Sequence, residues 1–286
     1  MKYGFFPGCA YKTAAGYETS VNAVNRLLGI ELVEIRDWNC CGATAAFSRE
    51  ENSALALAAR IMALADQQGF SEIITVCNAC YATLKKAEHK LCGSARRLKE
   101  VNGILKTDGL SLNQPIPVRH YLDLLIEDIP LETWPKEKNK VFPSHGRVAA
   151  YYGCQLTRPY GDASQAERPD RLENLLSALG VPVVSHSAKT LCCGASHIIG
   201  YEKQCLALIS RITGEMKNKG AEIITTLCPM CQFNLDYGQE KIQGKQLPVT
   251  YFTQVIGLAM GIAPESLGLD KLLVPLILKR SPQHAI

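Results

Sequence analysis

Two pairs of adjacent cysteines, each followed by glycine, are the residues in this sequence best suited to carry chemistry. The pairs are Cys40-Cys41-Gly42 and Cys192-Cys193-Gly194. A single cysteine precedes each pair and a Cys-x-x-Cys motif follows it, so the array repeats with a period of about 150 residues. The repeated cysteines are Cys9, Cys40, Cys41, Cys77 and Cys80 in the first copy and Cys154, Cys192, Cys193, Cys228 and Cys231 in the second.

Five thiols in each copy restrict the chemistry that they can perform. A closed structural zinc site uses four ligands, so zinc would leave one thiol unused in each copy. Structural disulfides are disfavoured in a reducing compartment, and adjacent cysteines bridge each other only with strain. Soft thiolates suit iron and sulfide, and a cubane cluster takes four of them. The fifth cysteine is then either a free reactive thiol or a ligand of a cluster that is larger or more open than a cubane.

The composition is typical of a globular protein. The chain has 286 residues, 47% hydrophobic and 20% charged, which is enough for two ordinary domains. Glycine and proline interrupt the N-terminal apolar run, which argues against a signal peptide, and no stretch approaches the roughly 18 apolar residues of a membrane span. The net charge of +4 is scattered and does not indicate nucleic-acid binding. We expect a cytoplasmic protein with no membrane span and no nucleic-acid partner.

Strands and helices are predicted in the same order in both copies. The predicted strands lie at residues 2–6, 31–35 and 73–76 and again at 147–152, 181–184 and 222–225. Amphipathic segments between them predict helices, and Pro117 and Pro248 each open a segment that predicts a closing helix. This order predicts an α/β fold of two similar duplicated units with mostly parallel sheets, related by a pseudo-twofold axis. Each cysteine group then lies at or near the C-terminal end of a strand, where open α/β sheets bind ligands.

The repeat also predicts the domain boundaries. The first cysteine-rich unit spans residues 1–130 and carries an insertion at about 92–114 that the second copy lacks. Residues 131–146, rich in proline and charge, form the predicted linker. The second unit spans residues 147–286. Its apolar C-terminal tail at residues 272–278 is too short to span a bilayer and is expected to dock on its own chain or on a partner subunit.

The duplicated pattern resembles that of a known family. Cys9, Cys40-Cys41-Gly42 and Cys77-x-x-Cys80, repeated in the second copy, are similar to the paired cysteine-rich CCG domains of the family of heterodisulfide reductase B subunits, including its bacterial reductase-like members. The resemblance covers nearly the whole chain. It implies two noncubane [4Fe-4S] clusters, each held by five cysteines, so that the ten cysteines of the array are both the cofactor-binding and the metal-ligating residues.

The same resemblance implies an activity and partners. It implies an oxidoreductase acting on sulfur groups, which reduces or reversibly forms a disulfide or related sulfur bond of a small substrate or sulfur carrier between two clusters. The implied partners are two other proteins of the reductase complex, one that bears a flavin and one that is ferredoxin-like. No Gly-x-Gly-x-x-Gly motif is present, so we expect no flavin or nicotinamide on this chain.

An alternative function is an electron-transfer module that passes electrons between a dehydrogenase and a quinone or another carrier. The two complete motifs favour the sulfur chemistry, because a relay needs one cluster whereas a two-electron reaction can use two.

Four residues outside the array are weaker candidates. His197 follows the second cysteine pair and His186 precedes it, so either could bond a sulfur or protonate a leaving thiolate. His197 is the better catalytic candidate, although a lone histidine is more often part of the packing. Cys205 lies on the apolar face of a predicted helix and is expected to be a buried structural thiol. Cys92 ends a helix beside the insertion and has no counterpart in the second copy.

Overall fold

The computed structural model describes residues 2–135, 146–161 and 166–278. Within these ranges all strand pairs are parallel and fall into two sheets, one in each half of the sequence. Helices cover both faces of the sheets, so the predicted α/β class with two similar units is confirmed.

The first half contains a four-stranded sheet. Its strands are β1 (Lys2–Phe6), β2 (Glu31–Glu34), β3 (Ile73–Thr75) and β4 (Val118–His120), in the spatial order β2-β1-β3-β4. Its helices are α1 (Gly8–Thr13), α2 (Tyr17–Leu28), α3 (Ala43–Arg49), α4 (Glu51–Gln67), α5 (Asn78–Cys92), α6 (Ala95–Leu105) and α7 (Tyr121–Glu127). The strand order reverses between β1 and β3, which makes their carboxyl ends the topological switch point of the sheet.

The second half repeats this plan with a smaller sheet. Its strands are β5 (Val148–Tyr151), β6 (Ile223–Thr226) and β7 (Val249–Tyr251), in the order β5-β6-β7. Its helices are α8 (Cys154–Thr157), α9 (Arg171–Ala178), α10 (Glu202–Asn218), α11 (Pro229–Glu240) and α12 (Phe252–Ala259). The predicted strand at residues 181–184 is reduced to a single parallel bridge between Val148 and Val183.

Successive side chains along each strand point alternately into the two cores on opposite faces of the sheet. Ile73 packs in one core and Ile74 and Val76 in the other, and Cys77 returns to the first core. The same alternation in the second half places Leu227 and Cys228 on opposite sides. Both cores are apolar because a parallel sheet is covered on both faces.

The closing segments differ from the sequence prediction. Residues after Pro117 and Pro248 were expected to begin helices, but each first forms a three-residue strand, β4 or β7, and the helix follows it. These strands exist because β3 and β6 offer them a free edge for hydrogen bonding. The insertion contains α6, whose Val101 and Leu105 are buried in the first core.

The ends of the predicted linker and tail are packed on the protein. Trp134 is buried and donates its indole N–H to the carbonyl of Ile129, whereas residues 136–145 of the linker lie outside the described residues. In the tail, Asp236 accepts the backbone N–H groups of Leu273 and Val274. No helix in the described ranges is long and apolar enough to cross a membrane.

The two halves exchange helix contacts reciprocally. Helix α2 packs on α12 and α7 packs on α9, which joins the second helix of each half to the last helix of the other. In the same way α1 contacts α11 and α5 contacts α8. Reciprocal contacts of this kind are those expected of two units related by a pseudo-twofold axis.

Tyr17 lies at the centre of this interface. Its ring is fully buried and stacks on that of Tyr251, with ring centroids 4.0 Å apart. Its hydroxyl donates to the carbonyl of Val76 at 3.0 Å and lies 3.5 Å from the carbonyl of Leu227. Val76 and Leu227 directly precede the two Cys-x-x-Cys motifs, so one side chain connects the two halves where the motifs begin.

We predict that Tyr17→Ala lowers the free energy of unfolding by about 3–5 kcal/mol, because it deletes a large buried ring and its hydrogen bond to the carbonyl of Val76. Anaerobic guanidinium denaturation measures the change. Leu27→Ala on the same helix, where Leu27 is 41% exposed, should change stability by no more than about 0.5 kcal/mol. Equal effects of the two substitutions would contradict this role for Tyr17.

Candidate metal centres

In each half the single cysteine and the Cys-x-x-Cys motif follow the carboxyl ends of two neighbouring strands. Cys9 lies on α1 after β1, and Cys77 and Cys80 begin α5 after β3. In the second half Cys154 begins α8 after β5, and Cys228 and Cys231 begin α11 after β6. The two adjacent pairs lie in loops that approach these helix starts. The fold therefore collects five thiols at the ligand-binding edge of each sheet, as the sequence predicts.

The sulfurs of the first set form a chain of close contacts. Cys9 Sγ lies 4.0 Å from Cys40 Sγ, and Cys41 Sγ lies 3.5 Å from Cys80 Sγ. All are free thiols. Cys9 and Cys40 are exposed, whereas Cys41, Cys77 and Cys80 are buried. The set is thus open to solvent at one end and enclosed at the other.

The second set encloses a small cavity. Cys193 Sγ lies 3.6 Å from Cys231 Sγ, and Cys154 contacts Cys192. All five cysteines of this set line this cavity together with Tyr151 and Asn78. Five thiols around one cavity are a soft donor set suited to iron and sulfide.

The two sets meet at the interface between the halves. Cys77 Sγ and Cys228 Sγ are 4.0 Å apart, although the two residues are 151 positions apart in sequence. Asn78 belongs to the first motif but lines the cavity of the second set. Its side-chain amide donates to the carbonyl of Tyr152 at 2.5 Å. The two candidate centres are therefore neighbours that share residues.

Main-chain and side-chain groups support the sulfurs in matching ways. The N–H of Gly194 donates to Cys192 Sγ at 3.3 Å, and the N–H of Gly42 bonds Cys40. Asn234 Nδ2 lies 3.7 Å from Cys193 Sγ, and Thr83, one turn into α5, lies within reach of Cys41. Groups of this kind orient thiolates and tune the electronics of a metal site.

Hydrogen bonds between the thiols lower the pKa of three of them, Cys41, Cys192 and Cys228, and raise the pKa of their partners Cys40, Cys77, Cys80, Cys154 and Cys231. The hydrogen bond from Cys154, with the Gly194 N–H and the nearby His197, lowers the pKa of Cys192 to about 6. Hydrogen bonds from Cys231 and Cys77 and from main-chain N–H groups hold the pKa of Cys228 well below its usual range. Metal ligation requires thiolates, so the lowered pKa values suit that role.

Two glycines allow the sulfurs to approach the backbone. A Cβ added at Gly8 would lie 2.6 Å from Cys80 Sγ, and one added at Gly153 would lie 3.1 Å from Cys231 Sγ. Both glycines also have positive φ, 70° and 71°, which other residues adopt only with strain. Glycine directly precedes Cys9 and Cys154, so it allows the first and last cysteines of each set to converge.

The residues fit an iron–sulfur group better than a single ion. No three His, Cys, Asp or Glu side chains in the described ranges are arranged to hold one metal ion, whereas each set offers five thiols. The side-chain carbonyl oxygens of Asn78 and Asn234 are buried beside the thiols with no hydrogen-bond partner in the described part of the chain. Buried polar atoms without partners are rare and are often explained by a group that the site binds.

The weaker candidates occupy different places. His197 is exposed and lies beside Cys192 in an open cleft, also lined by Tyr201 and Leu208. His186 is buried, accepts the N–H of Ala188 and bonds the carbonyl of Ala150, which are structural contacts. Of the two histidines, His197 is therefore the one that lies where it could contact a molecule near the thiols.

Cys205 and Cys92 also differ in position. Cys205 is buried as expected, but its side chain packs directly against Gly194 and lines the same cleft. Cys92 is exposed at the end of α5, away from both sets. Sequence reasoning missed Asn78, Thr83 and Asn234. Their positions inside or shortly after the Cys-x-x-Cys motifs were the available signal.

Comparisons with known proteins agree with the geometry. The family model described as a cysteine-rich domain, CCG, matches residues 3–85 and 148–236. The chain is 32% identical over 277 residues to the membrane anchor of the 8-methylmenaquinol:fumarate reductase of Wolinella succinogenes, covering 94% of this chain and 95% of that protein. It is 31% identical to a protein of Archaeoglobus profundus that is described as like the B subunit of heterodisulfide reductase, covering 93% and 92%.

Two further proteins are similar. The chain is 29% identical to the B subunit of the ferredoxin/F(420)H(2)-dependent CoB-CoM heterodisulfide reductase of Methanosarcina acetivorans, covering 94% of this chain and 93% of that protein. The crystal structure of a hypothetical protein from Helicobacter pylori superposes with a TM-score of 0.75 at 16% identity. That match covers 96% of this chain, which spans about half the length of the other protein, and it supports the fold alone.

We predict that Gly8→Ala reduces the iron bound by the protein by about half, because the new Cβ overlaps Cys80 Sγ and displaces one ligand of the first set. Metal analysis and the visible absorption of the anaerobic protein measure the loss. Gly29→Ala is the matched control, since Gly29 has a similar φ of 66° but open space around it. It should lose some stability and no iron, and equal iron loss in both variants would point to general backbone strain.

Proposed function

Because this chain belongs to the cysteine-rich CCG family, whose members include the B subunit of heterodisulfide reductase, we propose that it is an iron–sulfur redox subunit. In this proposal each set of five cysteines holds one noncubane [4Fe-4S] cluster. Such clusters supply one-electron steps at adjustable potentials. The observation that carries the proposal is the meeting of two complete cysteine sets at Cys77 and Cys228.

The chain's own residues would perform three tasks. The glycines before Cys9 and Cys154 let the ligands converge. The buried cysteines and the surrounding apolar core exclude water from the inner side of each set, which limits loss of electrons to solvent. The exposed thiols of Cys40 and Cys192 mark the sides from which a second molecule could approach.

The specific reaction that we propose is the reduction of a small disulfide or a related sulfur bond, or its reverse. Reduction of a disulfide consumes two electrons and two protons and gives two thiols. Two neighbouring one-electron centres match that requirement, because each can deliver one electron. The cleft beside Cys192 offers space for such a substrate, and His197 lies where it could deliver a proton.

A second candidate is electron transfer between a dehydrogenase and a quinone or another carrier. The 32% identity to the membrane anchor of a quinol:fumarate reductase favours it. In both cases the electrons come from other proteins, and the proposed partners in a cytoplasmic complex are one that bears a flavin and one that is ferredoxin-like. The two candidate functions differ in how many cysteine sets they need. Disulfide reduction uses both sets, whereas an electron relay needs only one.

We predict that the anaerobically purified protein contains about eight irons and a similar amount of acid-labile sulfide, four of each for every cysteine set. Metal analysis with a sulfide assay tests this. Stoichiometric zinc, or iron without sulfide, would contradict the proposed cofactor.

A second prediction separates disulfide reduction from electron relay. Cys41→Ser and Cys193→Ser should each retain about four irons, yet each should lower viologen-driven reduction of a small thiol disulfide by more than about 100-fold, since both centres must act together. Cys92→Ser, the same change at an exposed cysteine outside both sets, should keep full iron and activity. If Cys41→Ser or Cys193→Ser still transfers electrons to a quinone, and neither variant nor the unsubstituted protein reduces disulfides, the relay function is supported.

A further inference from the structure

The cleft beside Cys192 has no Lys, Arg, Asp or Glu among the described residues that line it. Cys154 and Cys192 contribute sulfur atoms to its walls, and His197, Tyr201 and Leu208 contribute two rings and an aliphatic side chain. A charge that leaves water needs an opposite charge or several hydrogen bonds. These walls offer neither a carboxylate nor an ammonium or guanidinium group, so the cleft favours an uncharged molecule.

The basic side chains nearest in sequence to the two single cysteines are already paired. Lys12 Nζ lies 2.7 Å from a carboxylate oxygen of Glu34. Arg158 donates to Glu167 at 2.8 Å and to the carbonyl of Thr190 at 2.9 Å. An anionic substrate would have to compete for either side chain with a carboxylate that is already in place. These two basic residues are therefore not ready partners for an anion.

Tyr201 breaks the local pattern of its helix. It is the N-cap residue of α10, a position that favours Ser, Thr, Asp or Asn, yet its side chain caps no N–H group. The matching helix of the first half, α4, also has 17 residues, and its N-cap Glu50 accepts the N–H groups of Asn52 and Ser53. The second half thus has a helix without a side-chain cap and an aromatic ring that is 60% exposed. Residues that break a local rule in this way are expected at functional sites.

Exposed apolar side chains adjoin the same cleft. Tyr201 and Leu208 line it and are both exposed, and Ile199, two residues before Tyr201, is 93% exposed. The ring of Tyr201 meets that of His197 edge to face, with ring centroids 5.8 Å apart. Removing apolar surface from water is favourable, so these side chains would stabilise a ligand that has a hydrocarbon part.

We propose that Tyr201 and Leu208 determine the substrate class of the cleft by binding the hydrocarbon part of a small uncharged disulfide. This inference rests on the proposed function. The sulfur–sulfur bond would lie on the side of Cys192 and His197, and its reduction consumes two electrons and two protons and gives two thiols. The electrons come through the iron–sulfur centres from a low-potential partner protein. Tyr201 and Leu208 take no part in that step and act only as binding residues.

Three disulfides of nearly equal size test the preference for an uncharged substrate. Dipropyl disulfide is uncharged, dithiodipropionate has a carboxylate in place of each terminal methyl group, and cystamine has an ammonium group there. Their dissociation constants are measured by isothermal titration calorimetry on the oxidised anaerobic protein, where no turnover occurs, and kcat/KM is measured with reduced viologen. Dipropyl disulfide should bind at least about tenfold more tightly than either charged compound, because the cleft offers no partner for their charges.

Variants of the cleft identify the residues responsible. Tyr201→Ser should weaken the binding of dipropyl disulfide by about tenfold, yet it should not lower the midpoint of guanidinium denaturation, because serine is favoured at an N-cap. Tyr201→Phe keeps the ring and should keep the affinity. Leu208→Lys should bind dithiodipropionate more tightly than the matched uncharged variant Leu208→Gln does. Phe233→Ala removes an exposed aromatic side chain that does not line the cleft and should leave all three dissociation constants unchanged.

Three outcomes would overturn this inference alone. They are equal binding of dipropyl disulfide and dithiodipropionate, equal loss of affinity in Tyr201→Ser and Phe233→Ala, and loss of both stability and affinity in Tyr201→Ser, which would indicate a structural role. If none of the three disulfides binds to iron-replete protein, another molecule such as a partner protein covers the apolar surface, and the inference is wrong. If the protein has no iron–sulfur chromophore, or binds the disulfides and reduces none, the proposed function fails and this inference with it.

Discussion

The contact between Cys77 and Cys228 is the constraint on which the rest of the site depends. Each of these cysteines is the N-cap of a helix that follows a buried central strand, so both elements fix the position of its backbone. Tyr17 bonds to the carbonyl that precedes Cys77 and lies close to the one that precedes Cys228. The distance between the two candidate centres is therefore set by the packing of the cores and not by flexible loops.

The reciprocal packing of helices holds the two halves together. Helix α2 packs against α12, and α7 packs against α9, so helices of both halves contribute to one apolar core. Burial of apolar surface is the main favourable term in folding, and here it is the same term that brings the two cysteine sets together. Stability and the alignment of the two cysteine sets are consequences of one interface.

Duplication keeps the backbone alike while the side chains around the two sets diverge. Glycines with positive φ precede Cys9 and Cys154 in both halves because the sulfurs must approach the main chain there. The surroundings are not equal, since an open apolar cleft adjoins the second set at Cys192. The two sets therefore share one backbone plan but differ in how they are exposed to a second molecule.

The sequence by itself determined the cysteine sets, most of the strands and helices, and the family, because each depends on local periodicity or on motif spacing. Strand β1, for example, lies at the predicted residues, Lys2–Phe6. Strands β4 and β7 were missed because three residues carry little pattern and become strands only by pairing with β3 and β6. Only the tertiary structure decided that Asn78 lines the cavity of the second cysteine set and that Cys77 contacts Cys228, because contacts between residues about 150 positions apart arise from packing and leave no local signal in the chain.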